Sequence, residues 1–282
     1  MKPLSAVAAV LALAAAPAFA DDATDRLNKA VEALSAQDGY VLAAQWRLDI
    51  EKVKEPVKGT VESLVRHRED FLKLHAKFDE GEVTVYQKGA QIAGQNAETK
   101  QWGPISDDAK AKFVLKMFNL KAFLTEAAGM ATNARLSKGD KDEELHLEFE
   151  ADKEKLKKLL GDAEAGKALT NGTLDNATMK VAIDFDRKSG VPRRVTVDIE
   201  GDSTHTPRKA ASPPPDDGFK PWTGEDDAPP AKDDKKDDGA KKPEEPPAPI
   251  VEHIKVHLEA IPDYKQSLDA EVPEAVKKVL GL

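Results

Sequence analysis

Six histidines are the residues most suited to metal or proton chemistry in this chain: His67, His75, His146, His205, His253 and His257. His253 and His257 have the i, i+4 spacing that binds zinc from a helix. They sit instead in His253-Ile254-Lys255-Val256-His257-Leu258-Glu259, which alternates polar and apolar as a strand does. On a strand four residues span roughly 13 Å, too far for one ion. His67, His75 and His146 likewise fall on polar strand faces beside charged neighbours, and His205 falls in a polar, proline-rich segment. The expectation is solvent-facing histidines and no metal site.

Nucleophilic chemistry fares no better. The chain has no cysteine, which excludes thiol catalysis and a disulfide framework. Gly-x-Ser-x-Gly, His-Glu-x-x-His and a Ser-x-x-Lys with its partner motifs are all absent. Gly89 and Gly94 stand alone as turn glycines rather than in a phosphate loop. The many carboxylates occupy outward positions of alternating segments. No catalytic residue and no cofactor are assigned, and the chain is expected not to be an enzyme. An envelope hydrolase with a carboxylate pair leaves no local signature and stays open at this point.

The 282 residues carry 42 Lys+Arg against 51 Asp+Glu, a net charge of −9, a poor match for nucleic acid. Residues 1–20 have the three parts of a secretory signal: Lys2, an apolar run from Leu4 to Ala15, and Ala18-Phe19-Ala20 after Pro17. Cleavage after Ala20 removes Lys2, leaving 41 basic against 51 acidic residues and a charge of −10. The apolar run is too short to span a bilayer, which takes about 20 residues. A periplasmic or secreted location follows, with no membrane span.

Residues 21–282 read as one domain interrupted by an acidic, proline-rich insertion at 201–249. Eleven of the 18 prolines fall there and no Val, Ile or Leu does, so the segment should be disordered. Arg193–Ile199 before it and His253–Glu259 after it both alternate, predicting neighbouring strands joined by the insertion. Phe219 and Trp222 are its only aromatics and are candidates for contacting an envelope protein partner.

The elements that hold these residues form a pattern. Ala23–Ser35 is an amphipathic helix with Leu27, Val31 and Leu34 at helical spacing. Strands are predicted at Gln45–Glu51, Thr60–Arg68, Phe71–Phe78 and Glu82–Gln87, with one or two more in Gln91–Trp102. A helical stretch capped by Asp107 carries Phe113, Val114, Met117, Leu120 and Leu124 and ends at Gly129. Glu144–Glu150 is a strand, Asp152–Leu160 a short helix and Met179–Asp186 a strand. Tyr264–Val272 is strand or extended, and a last helix starts at Pro273.

This order resembles the LolA-like superfamily of periplasmic lipoprotein carriers and the related LppX/LprG lipid-binding proteins. The local phrases that carry it are Tyr86-Gln87-Lys88-Gly89 leading to Trp102, the run from Ala182 to Val195 with its charged turn and Gly190-Val191-Pro192, and Leu268-Asp269-Ala270-Glu271-Val272-Pro273. The resemblance implies an α+β fold: a curved antiparallel sheet, an incomplete β-barrel, covered on its concave face by helices. It also implies an aliphatic cavity that binds acyl chains in lipid transport or outer-membrane lipoprotein sorting, the partner being a lipid or acylated lipoprotein. The pocket residues expected on that basis are Trp46, Leu48, Ile50, Leu64, Leu72, Leu74, Phe113, Met117, Phe123 and Leu124; the same residues could equally make a filled core. The alternative is a protein-interaction or sensor module of the same fold with no carried ligand. The chain departs from the family in its long acidic insertion and in lacking the lipid-modified cysteine of the mycobacterial members.

Overall fold

The computed structural model describes residues 16–78, 81–95, 99–106, 109–161, 173–205 and 248–282. The expectations for residues 1–15, Asp107, Phe219 and Trp222 lie outside them.

Chain alternation produces the sheet. Eleven strands are described: β1 (Gly39–Ile50), β2 (Val57–Arg66), β3 (Phe71–Phe78), β4 (Gly81–Lys88), β5 (Gln91–Gln95), β6 (Trp102–Pro104), β7 (Ala131–Lys138), β8 (Glu144–Ala151), β9 (Thr173–Asp186), β10 (Pro192–His205) and β11 (Ile250–Asp263). They form one antiparallel sheet in the order β6-β5-β4-β3-β2-β1-β11-β10-β9-β8-β7. The two ends, β6 and β7, do not meet, so the sheet is curved but open, an incomplete barrel. Gly190 closes the β9–β10 turn at φ +79°, a conformation glycine adopts without penalty.

Five helices are found among the described residues: α1 (Ala16–Ser35), α2 (Ala109–Met117), α3 (Leu120–Met130), α4 (Lys153–Gly161) and α5 (Glu274–Leu280). The main core lies between the concave face and α1–α4. Ala23, Leu27, Ala30 and Leu34 make the buried stripe of α1, which lies beside α3 and β7 and joins one cluster with Tyr40, Leu42 and Ala44 of β1, Leu72 and Leu74 of β3, and Ile183 and Phe185 of β9. A second, smaller cluster lies on the convex face, where Val276 and Leu280 of α5 cover Val41, Leu64, Phe71, Tyr86 and Ala93.

Several expectations change. The stretch read as one helix is two, broken at Phe118–Asn119; the Asn119 side chain caps α3 by accepting from the Ala122 N–H. Gly129 does not end that helix, which runs to Met130. Strand β7 was not expected. Of the two forms open for Tyr264–Val272, strand or extended, the strand is not formed; Leu268, Ala270 and Val272 pack on the convex cluster, and Arg66 Nε donates to the Leu268 carbonyl at 2.8 Å. Pro273 is the N-cap of α5 rather than its first helical residue. Strand β10 extends through Gly201–His205, with His205 opposite Ile250, so these five residues belong to the sheet and not to the insertion.

Candidate functional site

The concave face is unevenly covered, and strand register makes the gradient visible. Met179 of β9, Ile199 of β10, Val256 of β11, Leu48 of β1 and Val57 of β2 are direct cross-strand partners, forming one apolar row. Met179 and Ile199 are buried under the helices, Val256 and Leu48 are half-buried, and Val57 is 38% exposed. The adjacent row runs Phe149, Val181, Val197, Leu258, Trp46, Gly59, Phe78. It too goes from buried Phe149 to Phe78 at 37% exposed. Gly59 leaves room for the Trp46 indole: a Cβ there would lie 2.4 Å from Trp46 Nε1. The ring instead meets Phe78 edge-on, centroids 5.8 Å apart. Val83, one row further, is 47% exposed.

At the buried end, α2, α3 and α4 roof a small cavity. Its floor is Met179 and Ile199, and its walls are Phe113 and Met117 of α2, Phe123 and Met130 of α3, and Leu156, Leu159 and Leu160 of α4. It encloses about 20 Å³, room for little more than one water molecule. Lys116 and Glu126 also line it and pair with each other across α2 and α3. Both side chains are substantially exposed, so this pair is a weak latch of about 0.2–1 kcal/mol.

The two roof helices are anchored differently. The Tyr40 hydroxyl accepts from the Leu120 N–H at 2.7 Å, fixing the start of α3 in the core. Burial pushes the Tyr40 phenol pKa up, against the pull of that hydrogen bond. Ser63 donates to the Phe118 carbonyl at 3.0 Å, holding the α2–α3 break. Beyond that break α2 is held by its apolar face and the Lys116–Glu126 pair.

Of the ten pocket residues read from the sequence, the structure brings Phe113, Met117 and Phe123 to the cavity. Leu48, Trp46 and Ile50 lie on the open part of the same face. Leu72, Leu74 and Leu124 are interior residues of the covered part. Leu64 is on the wrong side: β2 turns Val61, Ser63 and Val65 inward, and Leu64 packs on the convex face under the C-terminal segment. Sequence reasoning missed Met179, Ile199, Val256, Leu258, Val57 and Phe78. The alternation of their strands was visible, but only register shows that they share two rows. Leu156, Leu159 and Leu160 were read as an inward stripe without being assigned to the cavity.

The histidines lie mostly on the convex face. His146, His253 and His257 stand directly opposite Asp184, Asp202 and Asp198, with ring-to-carboxylate distances of 2.6, 3.1 and 2.6 Å. His253 and His257 therefore face different aspartates. His67 departs from the expectation: it sits in the β2–β3 turn with its ring 5.6 Å from that of Tyr40, and its Nε2 is buried without a partner among the described residues. Burial, then nearby Lys121, lowers its pKa. Among the described residues no group of three His, Asp or Glu converges as metal ligands. No described helix is long and apolar enough to cross a membrane.

No family model matches the chain, and no curated protein matches it. Similar solved structures include the lipoprotein LppX of Mycobacterium tuberculosis, at 12% identity and a TM-score of 0.38, covering 63% of this chain and 87% of that one. LprF from Mycobacterium bovis is 7% identical with a TM-score of 0.38, covering 91% and 98%. The LolA superfamily protein NE2245 from Nitrosomonas europaea is 11% identical with a TM-score of 0.28, covering 92% and 96%. The reading of the site therefore rests on its own geometry.

Proposed function

We propose that this chain is a non-enzymatic carrier that holds the acyl chain of a lipid or acylated lipoprotein along its concave face, outside the cytoplasm, after removal of residues 1–20. The observation that carries the reading is the row Met179–Ile199–Val256–Leu48–Val57, which passes from closed cavity to open surface without a polar residue. Its five strands span about 19 Å at roughly 4.8 Å per strand, the length of a long acyl chain. Each buried methylene contributes about 0.8 kcal/mol, so roughly ten of them on this face supply about 8 kcal/mol of gross affinity.

The cavity as it stands is too small for such a chain, so α2 must swing away from Met179 and Ile199 on loading. The weak Lys116–Glu126 latch and the break at Phe118–Asn119 suit α2 to that role, while α3 stays on Tyr40. Among the described residues, Lys116 and Glu126 are the only polar ones on the cavity wall, which favours holding a ligand over transforming one.

The test is to purify the exported protein without detergent, sequence its N-terminus, and analyse an organic extract by mass spectrometry. The expected result is an N-terminus at Asp21 and a near-stoichiometric acylated molecule. A clean extract, with no uptake of acyl ligand afterwards, would overturn the carrier. The partner-binding alternative through residues 201–249, with Phe219 and Trp222, would then take its place.

A further inference from the structure

Two of the three helices that roof the cavity, α2 and α4, are basic in a chain whose net charge is −9. Helix α2 reads AKAKFVLKM and α4 reads KEKLKKLLG, with Glu154 their one acidic residue. Two of these lysines flank the cavity directly. Lys116 lines it. Lys155 lies one turn before Leu159 of the wall, and its Nζ donates to the Gly129 carbonyl at 2.7 Å, beside Met130. Lys112 precedes Lys116 by one turn on the same side of α2 and makes no ion pair among the described residues. The acidic groups beside them are Glu126, already paired to Lys116, Glu154 in the first turn of α4, and Asp152, whose carboxylate accepts from the Lys155 N–H at 3.0 Å, fewer than the lysines of α2 and α4.

We infer that the ligand is an anionic amphiphile: its chain enters the apolar cavity, and its carboxylate or phosphate rests on the rim formed by Lys112, Lys116 and Lys155. The inference rests on the carrier reading and adds the headgroup class. The cavity wall itself is apolar apart from Lys116 and Glu126, so a neutral headgroup would gain only chain burial. An anion competes with Glu126 for Lys116 and adds a charge-assisted hydrogen bond on a rim that otherwise holds excess positive charge. Such bonds are about twice as strong as neutral ones, which sets the expected discrimination at about tenfold.

The probes are cis-parinaric acid and its methyl ester, titrated by fluorescence onto the mature protein at a pH where the acid is ionised. The acid is expected to bind about tenfold more tightly, with the advantage shrinking as salt rises. The triple variant Lys112→Gln, Lys116→Gln, Lys155→Gln should bring the ratio of the two affinities towards one. If that variant does not fold, Lys112→Gln alone, read together with the wild-type salt dependence, decides. Lysophosphatidylglycerol set against lysophosphatidylcholine as displacing ligands extends the test from carboxylate to phosphate. An anion preference in either pair supports the inference and names the headgroup. Acid and ester binding within twofold, with lysolipids equally indifferent, overturns it and leaves the carrier intact. Absence of any binding removes the carrier reading and this one with it.

Discussion

Replacing Leu48 with Glu tests whether the uncovered row binds ligand. Leu48 is the β1 member of the row, between Val256 and Val57, and is half-buried. A hydrated carboxylate there keeps a chain off β1 and its neighbouring strand gaps, denying it roughly four methylenes at about 0.8 kcal/mol each. The loss is about 3 kcal/mol, or about a hundredfold in affinity. Stability should fall much less, by about 1 kcal/mol, since the native side chain is only partly removed from water. For a chain of this size that is a melting shift of about 2–4 °C. Fluorescence titration with a parinaroyl ligand reads the affinity, and circular dichroism reads the fold. Val251→Glu, at a convex-face position 55% exposed, is the control and should bind normally. Affinity within twofold of wild type in a folded Leu48→Glu protein would refute the idea that acyl chains lie along this row.

Two further outcomes concern the frame. Tyr40→Phe removes the acceptor for the Leu120 N–H in a fully buried place. An unmatched buried donor costs about 1–3 kcal/mol, so melting should drop by several degrees, and an unchanged midpoint would show that the bond does not anchor α3. His146 lies between Asp184 at 2.6 Å and Glu148 at 3.1 Å. Burial lowers its pKa, but the two carboxylates outweigh burial and raise it overall. Its contribution to stability is therefore complete below the ordinary value of about 6.5 and is lost as pH rises through the raised folded value. Denaturation midpoints should fall across that window, and His146→Gln should flatten the fall; an unchanged pH slope in the variant would contradict it.

Most strands were legible because one face of each is buried, so alternation survives in Trp46-Arg47-Leu48-Asp49-Ile50 or Met179–Asp186. What escaped has a physical reason in each case. Strand β7 is an edge strand with Ala134 its one buried residue. A register shift between Thr132 and Arg135, with Asn133 at φ +50°, breaks its periodicity. The first half of β1, Gly39 to Ala44, shows little alternation because Val41 is covered too, from the convex side by the C-terminal segment. The same cover explains Leu64. Residue type alone places the larger, apolar Leu64 inside, yet Ser63 is the inward one, its hydroxyl donating to the Phe118 carbonyl. No local pattern announces that residues over two hundred positions away will shield the other face.

The uneven cover of the concave face is the point on which the functional argument turns. Under α1 and α3 the sheet is sealed: Leu27, Leu34, Leu42, Leu74, Leu120 and Leu124 are all at or below 2% exposure. Along the same strands, Trp46, Leu48 and Ile50 lose that cover although their residue types are no less apolar. A fold selected for stability alone would extend a helix across them, since each leucine-sized side chain fully buried gains about 1.5–3 kcal/mol. Charge on the convex face, including the three opposed His–Asp pairs, keeps that surface compatible with water, with Val251 and Ile261 as isolated exposed apolar residues there, whereas on the concave face the exposed apolar residues form continuous rows. The roof beside it, α2, buries one residue in the core, Leu115, and is otherwise attached through half-buried side chains, a helix break and a screened ion pair. Mobile parts of a protein are drawn from its least buried elements. Here a roof helix with a single buried residue among those described, Leu115, stands over a cavity floor that continues onto open apolar surface, and its movement would leave the Tyr40–Leu120 anchor and everything beneath α1 undisturbed.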